Sequence, residues 1–174
     1  MRDSRFGAWC MALVWAAWIC GGQAFVANAW GSGASATWMP DVLVVMLLAW
    51  CARFDPSVLP GVIAVACAAR LAFTADPPVA VACGVIAIGS FAFLLRDVAE
   101  ASAPLLRTAL GGLGAFALAA WLILVQRVRD GDHASSMEVW AALPTALSTG
   151  ICAFALGPLF AKLPGLRAMH EERW

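Results

Sequence analysis

Residues 104–126 read PLLRTALGGLGAFALAAWLILVQ, and this stretch carries a single charged residue, Arg107, near its start. A helix that crosses the roughly 30 Å hydrocarbon core of a bilayer needs about 20 apolar residues, because lipid offers the backbone no hydrogen-bond partner. The stretch therefore predicts a transmembrane helix.

The rest of the chain has the same apolar character. Of its 174 residues, 63% are hydrophobic and 13% are charged, with a mean hydropathy of +0.83. An average soluble domain is about half apolar and about a quarter charged. Eleven basic and eleven acidic residues cannot coat a soluble fold of this length. The composition predicts an integral membrane protein, and its zero net charge gives no reason to expect a nucleic-acid partner.

We predict an all-α, polytopic transmembrane bundle of about six spans that forms one membrane domain over residues 1–174. The second span is the weakest, because only 11 uncharged residues separate Asp41 from Arg53. A re-entrant or half-buried helix is the alternative there. The predicted spans cover residues 7–30, 38–53, 58–75, 78–95, 104–126 and 139–163.

The distribution of Lys and Arg over the span ends predicts the orientation, since cytoplasmic loops are enriched in basic residues. Eight basic residues fall on one side and two on the other, which places both termini in the cytoplasm. The outer loops then hold five acidic residues: Asp41, Asp76, Asp130, Asp132 and Glu138. The inner basic residues are Arg2, Arg5, Arg53, Arg96, Arg107, Lys162, Arg167 and Arg173, and the outer ones are Arg127 and Arg129.

The N-terminus also has features of a cleavable signal peptide. Arg2 and Arg5 precede an apolar run that ends in the small-residue string Ala27-Asn28-Ala29. The length of the run and the polar residues Gln23 and Asn28 near its end favour a retained first span.

Small residues recur at helical spacing in the last two spans. Helices in lipid associate through close packing, which small residues permit. These faces predict helix contacts within the chain or with a partner. They consist of Gly111, Ala115 and Ala119 in the fifth span and of Ala146, Gly150, Ala153 and Gly157 in the sixth.

Two proline positions should bend or interrupt the sixth span. Pro144 lies near its start, and Pro158 follows Gly157 near its end. Proline removes a backbone donor and clashes with the preceding helical turn.

Arg70 is the one charged residue that the prediction places at depth within a span, away from the span ends. Ionisable groups at membrane depth are expensive and often functional. Its long side chain could reach the interface near Asp76, or it could form an interhelical ion pair or a partner contact.

The sequence offers few groups for catalysis, and we expect no enzymatic activity, metal or cofactor. It shows no buried carboxylate or histidine among the predicted spans and no nucleophile, metalloprotease or phosphate-binding motif. The six cysteines are scattered through apolar stretches and are interpreted as small buried hydrophobes, with a disulfide or metal site as the alternative. They are Cys10, Cys20, Cys51, Cys67, Cys83 and Cys152.

Several short strings of the chain follow a pattern known from one protein family. The string Pro40-Asp41 opens a leucine-rich run that ends at Trp50, followed by the charged turn Arg53-Phe54-Asp55-Pro56 and by Gly61. This order resembles the rod shape-determining MreD family of small bacterial inner-membrane proteins. Near the end, Pro158-Leu159-Phe160-Ala161-Lys162 is similar to the close of the last span in that family. Many members carry an acidic residue late in the third helix, where this chain has Ala69-Arg70.

The resemblance implies a non-enzymatic scaffold of the cell-wall elongation machinery in the bacterial inner membrane. Its partners would be MreC and, through it, MreB, RodA and a class B penicillin-binding transpeptidase. MreD is also similar in fold to the substrate-binding S components of energy-coupling factor transporters, which gives the alternative function. Candidate residues for an outer pocket in that case are Asn28, Trp30, Trp38, Arg70 and His133.

Overall fold

The computed structural model describes residues 2–30, 36–95, 104–133, 135–160 and 162–169. Within these ranges the chain is built of helices and contains no β-strand, which confirms the all-α prediction. Arg96, His170 and Arg173 lie outside the described residues. The helices are α1 (Arg2–Trp30), α2 (Val42–Arg53), α3 (Leu59–Phe73), α4 (Pro78–Leu94), α5 (Pro104–Asp130), the short α6 (Ser136–Trp140) and α7 (Leu143–Phe160).

Four segments are long and apolar enough to cross a membrane. They lie in α1, in α3 with the turn before it, in α5, and in α6 together with α7. The apolar helices α2 and α4 are shorter, with 12 and 17 residues. The protein is a multi-pass membrane protein.

The short helix α2 lies at the centre of the bundle. It packs against α1, α3, α4, α5 and α7. Met46, Leu47 and Trp50 on this helix are fully enclosed. Twelve residues rise only about 18 Å, so the helix is too short to cross the hydrocarbon core by itself. In its non-helical approach, residues 39–40 are half-buried and Asp41 is buried, and non-helical backbone is tolerated at membrane depth where protein covers it.

The small-residue faces of the last two spans pack against each other along α5 and α7, the most extensive helix contact in the described structure. A Cβ atom added at Gly150 would lie 2.9 Å from the backbone oxygen of Thr108, and one at Gly111 would lie 2.6 Å from Ala153 Cβ. The predicted faces therefore make a contact within the chain. We call Gly111, Gly112, Ala146, Gly150 and Ala153 the glycine seam.

The last span is interrupted at one of the two predicted places. Residues 141–142 form a turn between α6 and α7, and Pro144 follows in the first turn of α7. Amides of a first turn have no acceptor within the helix, so the helix loses no hydrogen bond at Pro144. The helix is not interrupted at Gly157 and Pro158, since α7 continues through Pro158 to Phe160, and a bend there stays a prediction.

Residues 162–169, which we call the tail segment, fold back against the bundle. The indole nitrogen of Trp15 donates to the carbonyl oxygen of Pro164 at 3.2 Å. The amide of Asp55 donates to the carbonyl oxygen of Met169 at 2.9 Å. Leu166 and Met169 are buried. The tail segment thus lies against α1 and the end of α2, and we call this the tail end of the bundle.

Candidate functional site: a buried polar cluster around Asp41

Asp41 caps the first turn of α2. Its Oδ1 atom accepts a hydrogen bond from the Val44 amide at 3.2 Å, and Pro40 precedes it in the non-helical approach. A carboxylate at this position satisfies one of the orphan amides of a helix start and complements the positive end of the helix dipole. The capping of α2 by Asp41 therefore explains the Pro-Asp string in structural terms.

The other carboxylate oxygen of Asp41 binds Arg70 on α3. Oδ2 lies 2.6 Å from Arg70 Nη1, and the two side chains are only 11% and 15% exposed. The interhelical ion pair, one of the three possibilities given for Arg70, is the arrangement in the structure. The expectations that Asp41 lies in an outer loop and that the spans enclose no carboxylate are wrong, because α2 begins inside the bundle rather than at its surface.

Two further helices supply uncharged polar groups to the same place. The Asp41 amide donates to Thr149 Oγ1 on α7 at 2.8 Å, and the Thr149 hydroxyl donates to the Thr145 carbonyl at 2.6 Å. The Val42 amide donates to Gln23 Oε1 on α1 at 3.2 Å. We call Gln23, Asp41, Arg70 and Thr149 the Asp41 cluster, which joins α1, α2, α3 and α7 at one level of the bundle.

One donor of the cluster has no partner. Arg70 Nε is buried and makes no hydrogen bond to the described residues. An unsatisfied buried donor costs about 1–3 kcal/mol, so this atom is a point at which the cluster could take a further polar group. Within the described residues, no three His, Cys, Asp or Glu side chains stand together as a metal site would require.

The other candidate residues lie elsewhere. Gly61 on α3 faces the ring of Trp9 on α1. Gly150, which follows Thr149 in the chain, belongs to the glycine seam. Gly157 and Pro158 lie about two helical turns beyond Gly150, nearer the tail end. Pro144 begins α7.

The proposed outer-pocket residues do not converge in the structure. Asn28, Trp38 and His133 are exposed, and of this set only Arg70 belongs to the Asp41 cluster. The side chain of Trp30 lies outside the described residues.

Sequence reasoning missed Thr149 and the role of Gln23. Gln23 had one visible signal, since an amide side chain within an apolar span needs a hydrogen-bond partner. Thr149 had none, because a threonine inside a helix can bond to its own preceding turn, as Thr149 also does.

The six cysteines are all unpaired, and they divide between the inside and the outside of the bundle. Cys20 and Cys51 are buried, as expected for small hydrophobes. Cys10 and Cys83 are exposed on the outer surface of the helices, where the prediction of burial is wrong.

Fold and site together define a multi-pass helical membrane protein with an ion pair buried among four of its helices. Comparison of the chain with protein-family models, with curated proteins and with solved structures finds no match. What can be proposed about function therefore rests on the residues and their geometry.

Proposed function

We propose that this protein is a non-enzymatic scaffold of the bacterial cell-wall elongation machinery, with a role similar to that of MreD. The observation that carries the proposal is the position of Pro40-Asp41, the string on which the resemblance partly rests. It opens α2, the helix that contacts every other long helix of the bundle. The string is therefore placed where it organises the whole fold.

The chemistry of the Asp41 cluster supports a structural role. Both carboxylate oxygens of Asp41 accept hydrogen bonds from groups fixed in the bundle, at Val44 and Arg70. A carboxylate that acts as a general acid or base must instead reach a substrate proton. The cluster is suited to holding helices in register.

The surfaces left for partners are the outer helix faces. The glycine seam is occupied by contacts within the chain, so a partner helix would contact other side chains. On α7 these are Leu147, Ile151 and Phe154, which are exposed. In the proposed assembly these faces contact MreC and, through it, MreB, RodA and a class B penicillin-binding transpeptidase, with both termini in the cytoplasm.

The experiment is a pull-down of the tagged protein from its native membrane in mild detergent, with partners identified by mass spectrometry. Recovery of MreC, RodA or the transpeptidase supports the scaffold. A variant with Ile151→Ala and Phe154→Ala should recover less of the partner, whereas Val14→Ala on α1, also exposed, serves as the control. Partner recovery that is equal in all three proteins argues against this face of α7.

A second candidate function is an S component of an energy-coupling factor transporter. The observation in its favour is the unpartnered Arg70 Nε in a cluster of convergent polar groups, since small-molecule sites combine an apolar cavity with a few such groups. Recovery of ATPase subunits and a coupling membrane protein in the same pull-down would favour this function. Native mass spectrometry of the purified protein would then show a bound small molecule that Arg70→Gln loses.

A further inference from the structure

The tail segment brings Arg167 to the same side of the tail end as Arg53, and we call the place formed by these two arginines the corner. The hydrogen bond from the Asp55 amide to the Met169 carbonyl joins the turn after α2 to the tail segment. Arg53 lies two residues before Asp55, and Arg167 lies two residues before Met169. Both arginine side chains are exposed, and neither forms an ion pair with a carboxylate in the described part of the chain.

The backbone that carries Arg167 is held in place. Arg167 begins a short 3-10 helix, Arg167–Met169, whose neighbours Leu166 and Met169 are buried against the bundle. On the other side of the corner, Phe54 is fully buried and stacks on Trp50 with ring centroids 5.5 Å apart. Because both backbones are fixed, binding at this corner would order only the two arginine side chains.

Further cations lie at the same end of the bundle, each beside exposed apolar side chains. Arg5 precedes the exposed Phe6, Arg107 follows the exposed Leu105, and Lys162 follows the exposed Leu159. A cation next to a lipid-facing apolar side chain marks the boundary between hydrocarbon and headgroups. The corner therefore lies at headgroup level.

The charges at the opposite end are arranged differently. There Arg70 pairs with Asp41, and Arg127 pairs with both Glu138 and Asp132. At the tail end, the one carboxylate with a described side chain is Asp55, which accepts a hydrogen bond from the Ser57 amide at 2.7 Å. Among the described side chains, Arg70 and Arg127 at the opposite end are thus paired with carboxylates, whereas Arg53 and Arg167 at the tail end are not.

We infer that Arg53 and Arg167 form a binding corner for the headgroup phosphate of an anionic phospholipid. Arginine binds phosphate through paired donors, and the adjacent exposed apolar side chains would contact the acyl chains. A lipid satisfies both requirements, whereas a soluble phosphate satisfies only the first. The inference depends on the membrane fold alone and not on the proposed scaffold function.

The test uses the full-length protein in nanodiscs made of an equal mixture of phosphatidylcholine and phosphatidylglycerol. After extraction into detergent, the two lipids retained by the protein are quantified by mass spectrometry. The wild type should retain phosphatidylglycerol in excess. Arg53→Gln and Arg167→Gln should each lower that enrichment about fivefold, as expected for one cation near an anionic surface.

Arg129→Gln is the matched control, because Arg129 is an exposed arginine at the opposite end without an ion pair to a described carboxylate. It should leave the enrichment unchanged. An equal loss in Arg129→Gln, or no preference for phosphatidylglycerol in the wild type, overturns the inference. Displacement of the retained lipid by inorganic phosphate at millimolar concentration would assign the corner to a soluble anion and overturn it as well.

Discussion

The Asp41 cluster and the glycine seam hold helices together by opposite means. The seam brings two helices so close that a Cβ at Gly150 would lie 2.9 Å from a backbone oxygen, and its stabilisation comes from many small contacts. The cluster joins four helices through a few strong polar bonds at one level. A small change in shape at a packed contact costs little stability, whereas removal of the partner of a buried charge costs much more. The two regions should therefore respond differently to mutation.

The largest effect is expected from Arg70→Met, which leaves the Asp41 carboxylate buried without its cation. Breaking a buried pair from one side costs about 3–5 kcal/mol. The unfolding free energy in mixed micelles should fall by that amount. The double variant Asp41→Asn with Arg70→Met removes both charges and should recover much of the loss. A double variant as unstable as the single one would show that the pair does not act as a unit.

A smaller effect is expected from Gly150→Ala in the seam. The added methyl group meets the Thr108 backbone, which cannot move without separating the helices, so overpacking should cost about 1–3 kcal/mol. Gly157→Ala is the matched control on the same helix, because its Cβ would meet nothing within 4 Å. Thermal unfolding in detergent distinguishes the two. Equal melting temperatures for both variants would mean that the seam is looser than the structure shows. The bulkier Gly150→Leu should lower the abundance of folded protein.

The next effect concerns the uncharged part of the cluster. Thr149→Val keeps the side-chain shape but leaves the Asp41 amide without its acceptor, which should cost about 1–3 kcal/mol. Thr74→Val removes an exposed hydroxyl that bonds only to the Arg70 carbonyl and should change little. The same unfolding assay compares the two variants. Stability losses of similar size would indicate that the buried bond contributes no more than the exposed one.

The smallest effect is expected from Arg127→Gln, outside both regions. Arg127 pairs with Glu138 and Asp132, but its side chain is 37% exposed and that of Asp132 is 71% exposed. Exposed pairs contribute about 0–1 kcal/mol and are screened by salt. The variant should unfold close to the wild type, and the small difference should vanish at high salt. A loss comparable to that of Arg70→Met would contradict the distinction between buried and exposed pairs.

The two regions also differ in how visible they were in the sequence. The seam was predicted except for Gly112, because its other residues belong to faces of small residues that recur every three or four positions along single helices, and that spacing is local. The Asp41 cluster was not, because Asp41 and Thr149 lie 108 residues apart, and Asp41 and Arg70 lie 29 apart. No periodicity links such positions. Burial of Asp41 was also hidden by its place near the start of the second predicted span, where a charged residue was assigned to the outer loop.

The sequence by itself determined that the protein lies in lipid and that its architecture is helical. A hydrophobic fraction of 63% requires lipid, and lipid requires that backbone groups be satisfied within helices. The tertiary structure alone decided which helix lies at the centre, because burial depends on what surrounds a helix and not on its own length or hydropathy. It also decided the partner of Arg70 and the return of the tail segment, since both join positions far apart in the chain.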